Sequence, residues 1–136
     1  MANTIEIPRD NWSVCFERLG RQAQTYPVRI EVENRDIGDQ EMVRKLPLVG
    51  IDLETKGSEI GDLEITVGEA GQNFMHHIED PARVFLSVDD SGNIDCIAIE
   101  DGDNGKTLIF FERQPGLPAS VLLESSVGGE QPAPGP

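Results

Sequence analysis

Hydrophobic side chains recur with a helical period near the start of the chain. The apolar positions fall at i, i+4, i+7 and i+11 and are Trp12, Phe16, Leu19 and Ala23. This spacing predicts a helix over residues 9–23 that buries one face. Pro8 suits the first turn of a helix, and Pro27 forces the residue before it into extended geometry. The helix is therefore expected to end before Tyr26.

After Pro27 the hydrophobic period changes to two, which is typical of strands with one buried face. The segments with this alternation, or with short apolar runs between turns, are 28–33, 49–54, 63–67, 73–79, 83–89, 94–100 and 106–113. The segment "EMVRKLPL" is a weaker candidate, since Pro47 fits an edge or a bulge better than a central strand. The later strands are joined by "EDPA", "DDSGN" and "DGDNG", which favour consecutive antiparallel hairpins.

The last two strands carry apolar residues on both faces, so other parts of the protein must shield both faces from water. Ala98 and Leu108 alternate with Ile97 and Ile109, and we expect the helix to lie across the outside of these strands. The predicted fold is α+β, with an N-terminal helix packed on a mainly antiparallel meander of seven or eight strands. A small barrel is preferred over a sandwich because closure removes exposed edges. The globular domain is expected to span residues 1–123, and the Gly- and Pro-rich residues 124–136 are expected to form a disordered tail.

The only two histidines, His76 and His77, are adjacent in "FMHHIEDPARV". Neighbouring residues on a strand point to opposite faces, so the two side chains cannot both bind one metal ion. A core histidine with a hydrogen-bonded ring is favoured for His76 over a ligand or a catalytic base. His76, His77 and Arg83 are the candidate binding residues.

The histidine segment also predicts a hairpin. Asp80 and Pro81 suit the first two positions of a type I turn, and a three-residue link would join strands 73–79 and 83–89. This register would place His76 opposite Leu86 in the core and His77 opposite Phe85 outside. It would also pair Glu79 with Arg83.

Four aspartates at two predicted turns are candidate ligands for calcium. These residues are Asp89, Asp90, Asp101 and Asp103. Two segments beginning at Asp89 and Asp101 approach the ligand spacing of an EF-hand, but Ile94 and Lys106 occupy the sixth position, where glycine is needed. Because Asp, Asn and Gly are also what tight turns require, turn chemistry is favoured and no metal site is predicted.

Charge and cysteine content limit the possible partners and location. The formal charge is −14, from 25 acidic and 11 basic residues, which opposes binding to nucleic acid or to an anionic membrane. The acidity lies in residues 46–136, which carry 17 acidic and 4 basic side chains. Two cysteines without paired spacing, no leader-like start and no apolar run of membrane length predict a cytoplasmic protein.

Three segments carry a resemblance to a known family: "IEIPRDNW", "KLPLVGIDLE" and "HHIEDPARVFL". Over residues 5–115 the chain resembles a family of small bacterial proteins known only as a domain of unknown function. The family opens with Ile-Pro-Arg-x-x-Trp. This resemblance implies no assigned activity, substrate or cofactor, and no functional residues to transfer.

No catalytic residue and no cofactor are predicted, because neither a nucleophile elbow nor a phosphate-binding glycine loop is present. The favoured function is a non-catalytic binding or protein-interaction module, acting as a monomer or a homodimer on an unknown protein or small ligand. The alternative is a small barrel enzyme or ligand carrier that uses a histidine-lined pocket.

Overall fold

The computed structural model describes residues 3–34, 38–54, 57, 60–69, 71–112 and 116–123. The strands are β1 (Asn3–Ile7), β2 (Pro27–Asn34), β3 (Gly38–Leu53), β4 (Leu63–Glu69), β5 (Gln72–Ile78), β6 (Pro81–Val88), β7 (Ile94–Asp101) and β8 (Lys106–Phe111). The helices are α1 (Trp12–Gln22), which follows a single 3-10 turn, and α2 (Ser120–Leu123). The predicted α+β fold with one N-terminal helix on an antiparallel sheet is confirmed.

The described strands form one sheet in the order β1-β6-β7-β8-β2-β3-β4-β5, and every pair is antiparallel. The sheet is not closed, since β1 and β5 lie at its two ends. The barrel preferred from the sequence is therefore not formed. Strand β1 and helix α2 were not predicted. The expected tail, 124–136, lies outside the described residues, and the domain boundary at 123 stays a prediction.

The sheet folds back on itself at the middle of β3. The first half of β3 pairs with β2, and the second half pairs with β4. Around this point the register of β3 shifts twice against β2 and once against β4, Lys45 takes a positive φ of 55°, and Pro47 follows. A bulge and a proline bend a strand because both interrupt its ladder of hydrogen bonds. Strand β3 thus belongs to two layers, with β4 and β5 in the second.

A single hydrophobic core lies between these layers and α1. It contains the helical residues Phe16 and Leu19 together with Ile97 and Ile109 of the late strands. On the opposite face of β7 and β8, Ala98, Leu108 and Phe110 are half-buried and Cys96 is buried. The predicted cover of that outer face by the helix is therefore wrong, and the guanidinium of Arg29 stacks there instead, 4.0 Å from a phenylalanine ring centre.

The predicted hairpin between the strands now called β5 and β6 is also wrong. Among the described strands, β5 has β4 as its one neighbour, whereas β6 lies between β1 and β7. His76 therefore pairs with Ile65 and not with Leu86, and His77 pairs with Glu64 and not with Phe85. At Asp80 (φ 52°) the chain passes from one layer to the other. The physical reason is that the backbone of Asp80 makes no hairpin hydrogen bond in either of these contacts. Its N–H donates to a carboxylate oxygen of Asp62, and its carbonyl accepts from the N–H of Gly102.

Within residues 3–34, 38–54, 60–69, 71–112 and 116–123, no helix has the length and apolar character needed to cross a membrane.

Candidate functional site

The fold in β3 leaves an apolar groove between the two layers, with a volume of about 290 Å³. The first layer supplies Ile30, Met42 and Leu46 to its lining. The second layer supplies Ile65, Val67, Phe74, Met75 and His76. We call this cavity the apolar groove. It lies where β3 passes from the layer that contains β2 to the layer that contains β4 and β5.

The groove opens beside β5. Met42, Phe74 and Met75 are 54%, 53% and 62% exposed, although all three are large and apolar. Val67, which pairs with Phe74 on the neighbouring strand, is only 1% exposed. Burial therefore increases from β5 towards β4. Three of the most exposed hydrophobic residues of the described chain therefore line one cavity, with Phe74 on the same face of β5 as His76 and Met75, on the alternate face, at its rim.

His76 lies at the inner end of the groove and is half-buried. Its Nε2 is 3.1 Å from Oγ1 of Thr107 on β8, so this contact joins the two layers. Thr107 is 4% exposed and is the buried polar side chain of the described core. Burial lowers the pKa of His76, and the neighbouring His77 lowers it further. At neutral pH His76 is thus an uncharged hydrogen-bonding group.

A second cavity, of about 280 Å³, begins on the other side of His76. Its acidic lining residues are Glu79, Asp101 and Asp103, and the rest of its lining is Val32, His76, His77, Ile78 and Thr107. We call it the acidic cleft. His76 is common to the linings of the groove and the cleft, so the two cavities are neighbours along β5.

His77 points to the opposite face, as strand parity predicts. Its Nε2 is 3.0 Å from a carboxylate oxygen of Asp62, and its Nδ1 is 3.8 Å from Glu64. The other oxygen of Asp62 accepts the backbone N–H of Asp80 at 3.0 Å. This backbone bond, followed by the contact with His77, lowers the pKa of Asp62. His77 thereby helps to hold the crossing between the layers.

Arg83 is not brought together with the histidines. It lies on the outer face of the first layer, 3.6 Å from Glu6 and 3.9 Å from Glu100. Its guanidinium also lies 5.1 Å from the ring centre of Phe85. Surface ion pairs of this kind contribute little, and Arg83 shields an aromatic ring on the outer face.

The four candidate aspartates are split between two turns at opposite ends of β7. The carboxylate of Asp89 accepts the N–H groups of Ser91 and Asn93, both at 2.9 Å. Asp101 does the same for Asp103 and Gly105, at 2.8 and 2.9 Å. Both are Asx turns. Asp90 follows Asp89 in the first turn, and Asp103 joins Asp101 in the lining of the acidic cleft.

Among the residues that the structure describes, no three His, Cys, Asp or Glu side chains are grouped to hold a metal ion.

The exposed apolar residues that line the groove, and the hydroxyl that contacts His76, were not predicted from the sequence. Met42, Phe74 and Met75 have no motif, and Thr107 looks like an ordinary strand residue. The sequence does indicate the direction of Phe74, since Phe74 and His76 are two residues apart on one strand and therefore point to the same, inward face. That signal could not reveal the exposure of Phe74, because the facing residues of the other layer lie 28 to 44 positions away in the sequence.

An uncharacterised protein of Aquifex aeolicus (strain VF5) is 26% identical over 115 residues, which cover 85% of this chain and 96% of that protein. No solved structure matches the chain. The model of a family of unknown function, DUF5335, matches residues 3–120. The resemblance predicted from the sequence is confirmed, and the chain belongs to the DUF5335 family of unknown function.

Proposed function

We propose that the protein is a non-catalytic binding module and that the apolar groove is its binding site. The observation that carries this proposal is the exposure of Met42, Phe74 and Met75 at the opening of one cavity. Contiguous exposed apolar surface costs solvation free energy unless a partner covers it, and it marks interaction sites. Methionine suits such a surface because its flexible side chain adapts to the bound group.

The chemistry of the groove supports binding over catalysis. In the described residues, His76 is the one titratable side chain that lines it. Its Nε2 already contacts Thr107, and neither a second acid or base nor a nucleophile lines the groove beside it. Acid–base catalysis needs groups positioned on the reacting atoms.

The experiment uses the methionine methyl groups as reporters. Two of the three methionines line the groove, so protein labelled with ¹³C at the methionine methyls gives few signals. We expect titration with the uncharged fluorophore N-phenylnaphthylamine to shift the Met42 and Met75 signals and to raise the fluorescence of the dye. The signals are assigned with Met42→Leu and Met75→Leu.

A matched pair of variants shows whether the dye binds in the groove. Phe74→Ser removes a half-exposed side chain from the opening, and Ile60→Ser removes an exposed side chain outside it. We expect Phe74→Ser to weaken dye binding at least fivefold and Ile60→Ser to leave it unchanged. Unshifted methionine signals, or equal weakening by both variants, would refute the proposal.

One observation favours a second candidate, a carrier of a small ligand. The groove is lined by His76, which could orient a polar group of the ligand by a hydrogen bond. Its volume of about 290 Å³ is at the lower end for small-molecule sites, which span roughly 300–1,000 Å³. A carrier would bring a tightly held molecule through purification, which mass spectrometry of the native protein would detect.

A cytoplasmic location is part of the same proposal. The two cysteines, Cys15 and Cys96, are both buried and both free thiols. Burial raises the pKa of Cys15 to about 11 and that of Cys96 to about 12. Unreactive free thiols are typical of proteins in reducing compartments.

A further inference from the structure

We propose that the partner is a protein whose extended peptide segment adds as a strand to the free edge of β5. One apolar side chain of the segment would enter the apolar groove, and a lysine or arginine side chain would reach the acidic cleft. This inference rests on the proposed binding function of the groove and specifies its partner.

The first support is the edge itself. Strand β5 pairs with β4 on one side, and no described strand lies on its other side. An edge strand presents N–H and C=O groups at alternate residues, which an added strand can pair. The groove opens at this same edge, since Phe74 on β5 is exposed while Val67 on β4 is buried. Side chains of an added strand would therefore point between the layers.

The second support is the order of the two cavities along β5. Residues 74–76 line the apolar groove, and residues 76–79 line the acidic cleft. Phe74 and Ile78 are four residues apart and share the inward parity. At about 3.4 Å per residue the two sites are about 14 Å apart, so partner side chains that reach both are also four positions apart. The expected motif is an apolar residue and a basic residue separated by three others, in either direction.

The third support is charge. The carboxylates in the lining of the acidic cleft are Glu79, Asp101 and Asp103. His76 and His77 also line the cleft, and no described lysine or arginine lines either cavity. The chain as a whole carries −14. A cationic side chain is attracted there, whereas an acidic one is repelled, so charge selects the partner as well as strengthening the complex.

The test begins with selection from a phage-displayed library of random ten-residue peptides on the full-length protein. Phe74→Ser serves as the counter-selection, because it alters the groove opening. We expect enrichment of peptides that carry an apolar and a basic residue four positions apart. Enriched peptides without a basic residue, or no enrichment over Phe74→Ser, would overturn the inference.

The enriched peptide is then labelled with fluorescein and its binding measured by anisotropy. We expect the double variant Glu79→Lys and Asp103→Lys to weaken binding about tenfold. Glu17→Lys changes an exposed carboxylate on α1 and is the charge control, for which we expect unchanged affinity. Equal affinity for the double variant and the wild type would contradict the proposed role of the cleft.

Backbone pairing is tested with two N-methylated versions of the peptide, one at the odd and one at the even amides. Because only alternate N–H groups of an added strand face β5, one version should lose binding and the other should keep it. Full binding by both versions would exclude strand addition. If the dye still shifts the Met42 and Met75 signals while no peptide is enriched, the groove remains a binding site and only the peptide partner is refuted.

Discussion

The contact between His76 and Thr107 predicts a measurable coupling between the two layers. Thr107→Val keeps the shape of a buried side chain and removes the hydroxyl that lies 3.1 Å from Nε2 of His76. The variant leaves a half-buried ring nitrogen without this partner. We therefore expect it to lower the free energy of unfolding.

The magnitude follows from the burial of the two groups. A neutral hydrogen bond contributes about 1 kcal/mol net, and leaving one fully buried partner unsatisfied costs about 1–3 kcal/mol. Thr107 is 4% exposed, but His76 lines two open cavities that water can enter. We expect a loss of about 1 kcal/mol for Thr107→Val. His76→Phe should cost a similar amount, and the double variant should cost about 1 kcal/mol less than the sum of the two.

Urea denaturation followed by tryptophan fluorescence measures these values. Trp12 is the single tryptophan, is 2% exposed, and donates its indole N–H to the carbonyl of Ile7 at 2.9 Å. Thr4→Val, at an exposed position of β1, is the matched control and should change stability by less than about 0.5 kcal/mol. A coupling energy below about 0.3 kcal/mol would show that the His76–Thr107 contact does not join the layers.

Three further outcomes are expected. Gly68→Ala should destabilise the protein by more than about 2 kcal/mol in the same denaturation assay, because its Cβ would lie 2.2 Å from the carbonyl oxygen of Gln72. Gly20→Ala, in open space on α1, should stabilise the protein by about 0.5–1 kcal/mol. Equal changes in the free energy of unfolding for the two variants would contradict the predicted clash at Gly68. The pKa of His76 is lowered in the folded state, so the unfolded chain binds more protons and stability should fall as the pH drops below about 6.5. His76→Leu should lack this part of the pH dependence, and an unchanged slope would refute the assignment. The pKa of Asp62 is also lowered, so Asp62→Ala should lower Tm at pH 7, and the difference from wild type should shrink as acidification protonates the carboxylate.

Local patterns were sufficient for most of the individual elements. The stripe of Trp12, Phe16 and Leu19 defines α1, and alternation defines β2 and β4 within a residue or two. Strand β1 was not predicted because "NTIEI" is short and Pro8, directly after it, is typical of a helix start. The bend in β3 could be predicted only in part, since Pro47 indicates that the strand is interrupted but not in which direction the chain turns.

For the candidate site, the sequence predicts on which face of its strand each histidine lies, but not which residues the histidine contacts. Because adjacent residues of a strand point to opposite faces, His76 and His77 are predicted to lie on different faces whatever the strand pairs with. The partner of His76 is Thr107, which lies 31 residues away. No periodicity within β5 specifies that contact, because it depends on the packing of two layers and not on a hydrogen-bonded register.

The wrong hairpin and the proposed binding edge have the same origin. Asp80 and Pro81 have the residue types of a tight turn, yet Asp62 and Gly102 bond the backbone groups of Asp80 and direct the chain to the other layer. Strand β6 then lies between β1 and β7, so it cannot cover β5. Had the hairpin formed, β5 would have had neighbours on both sides and the apolar groove would have been closed. The long-range pairing that local turn chemistry could not predict therefore leaves the outer edge of β5 without a neighbour among the described strands, and this is the edge to which we propose that a partner strand adds.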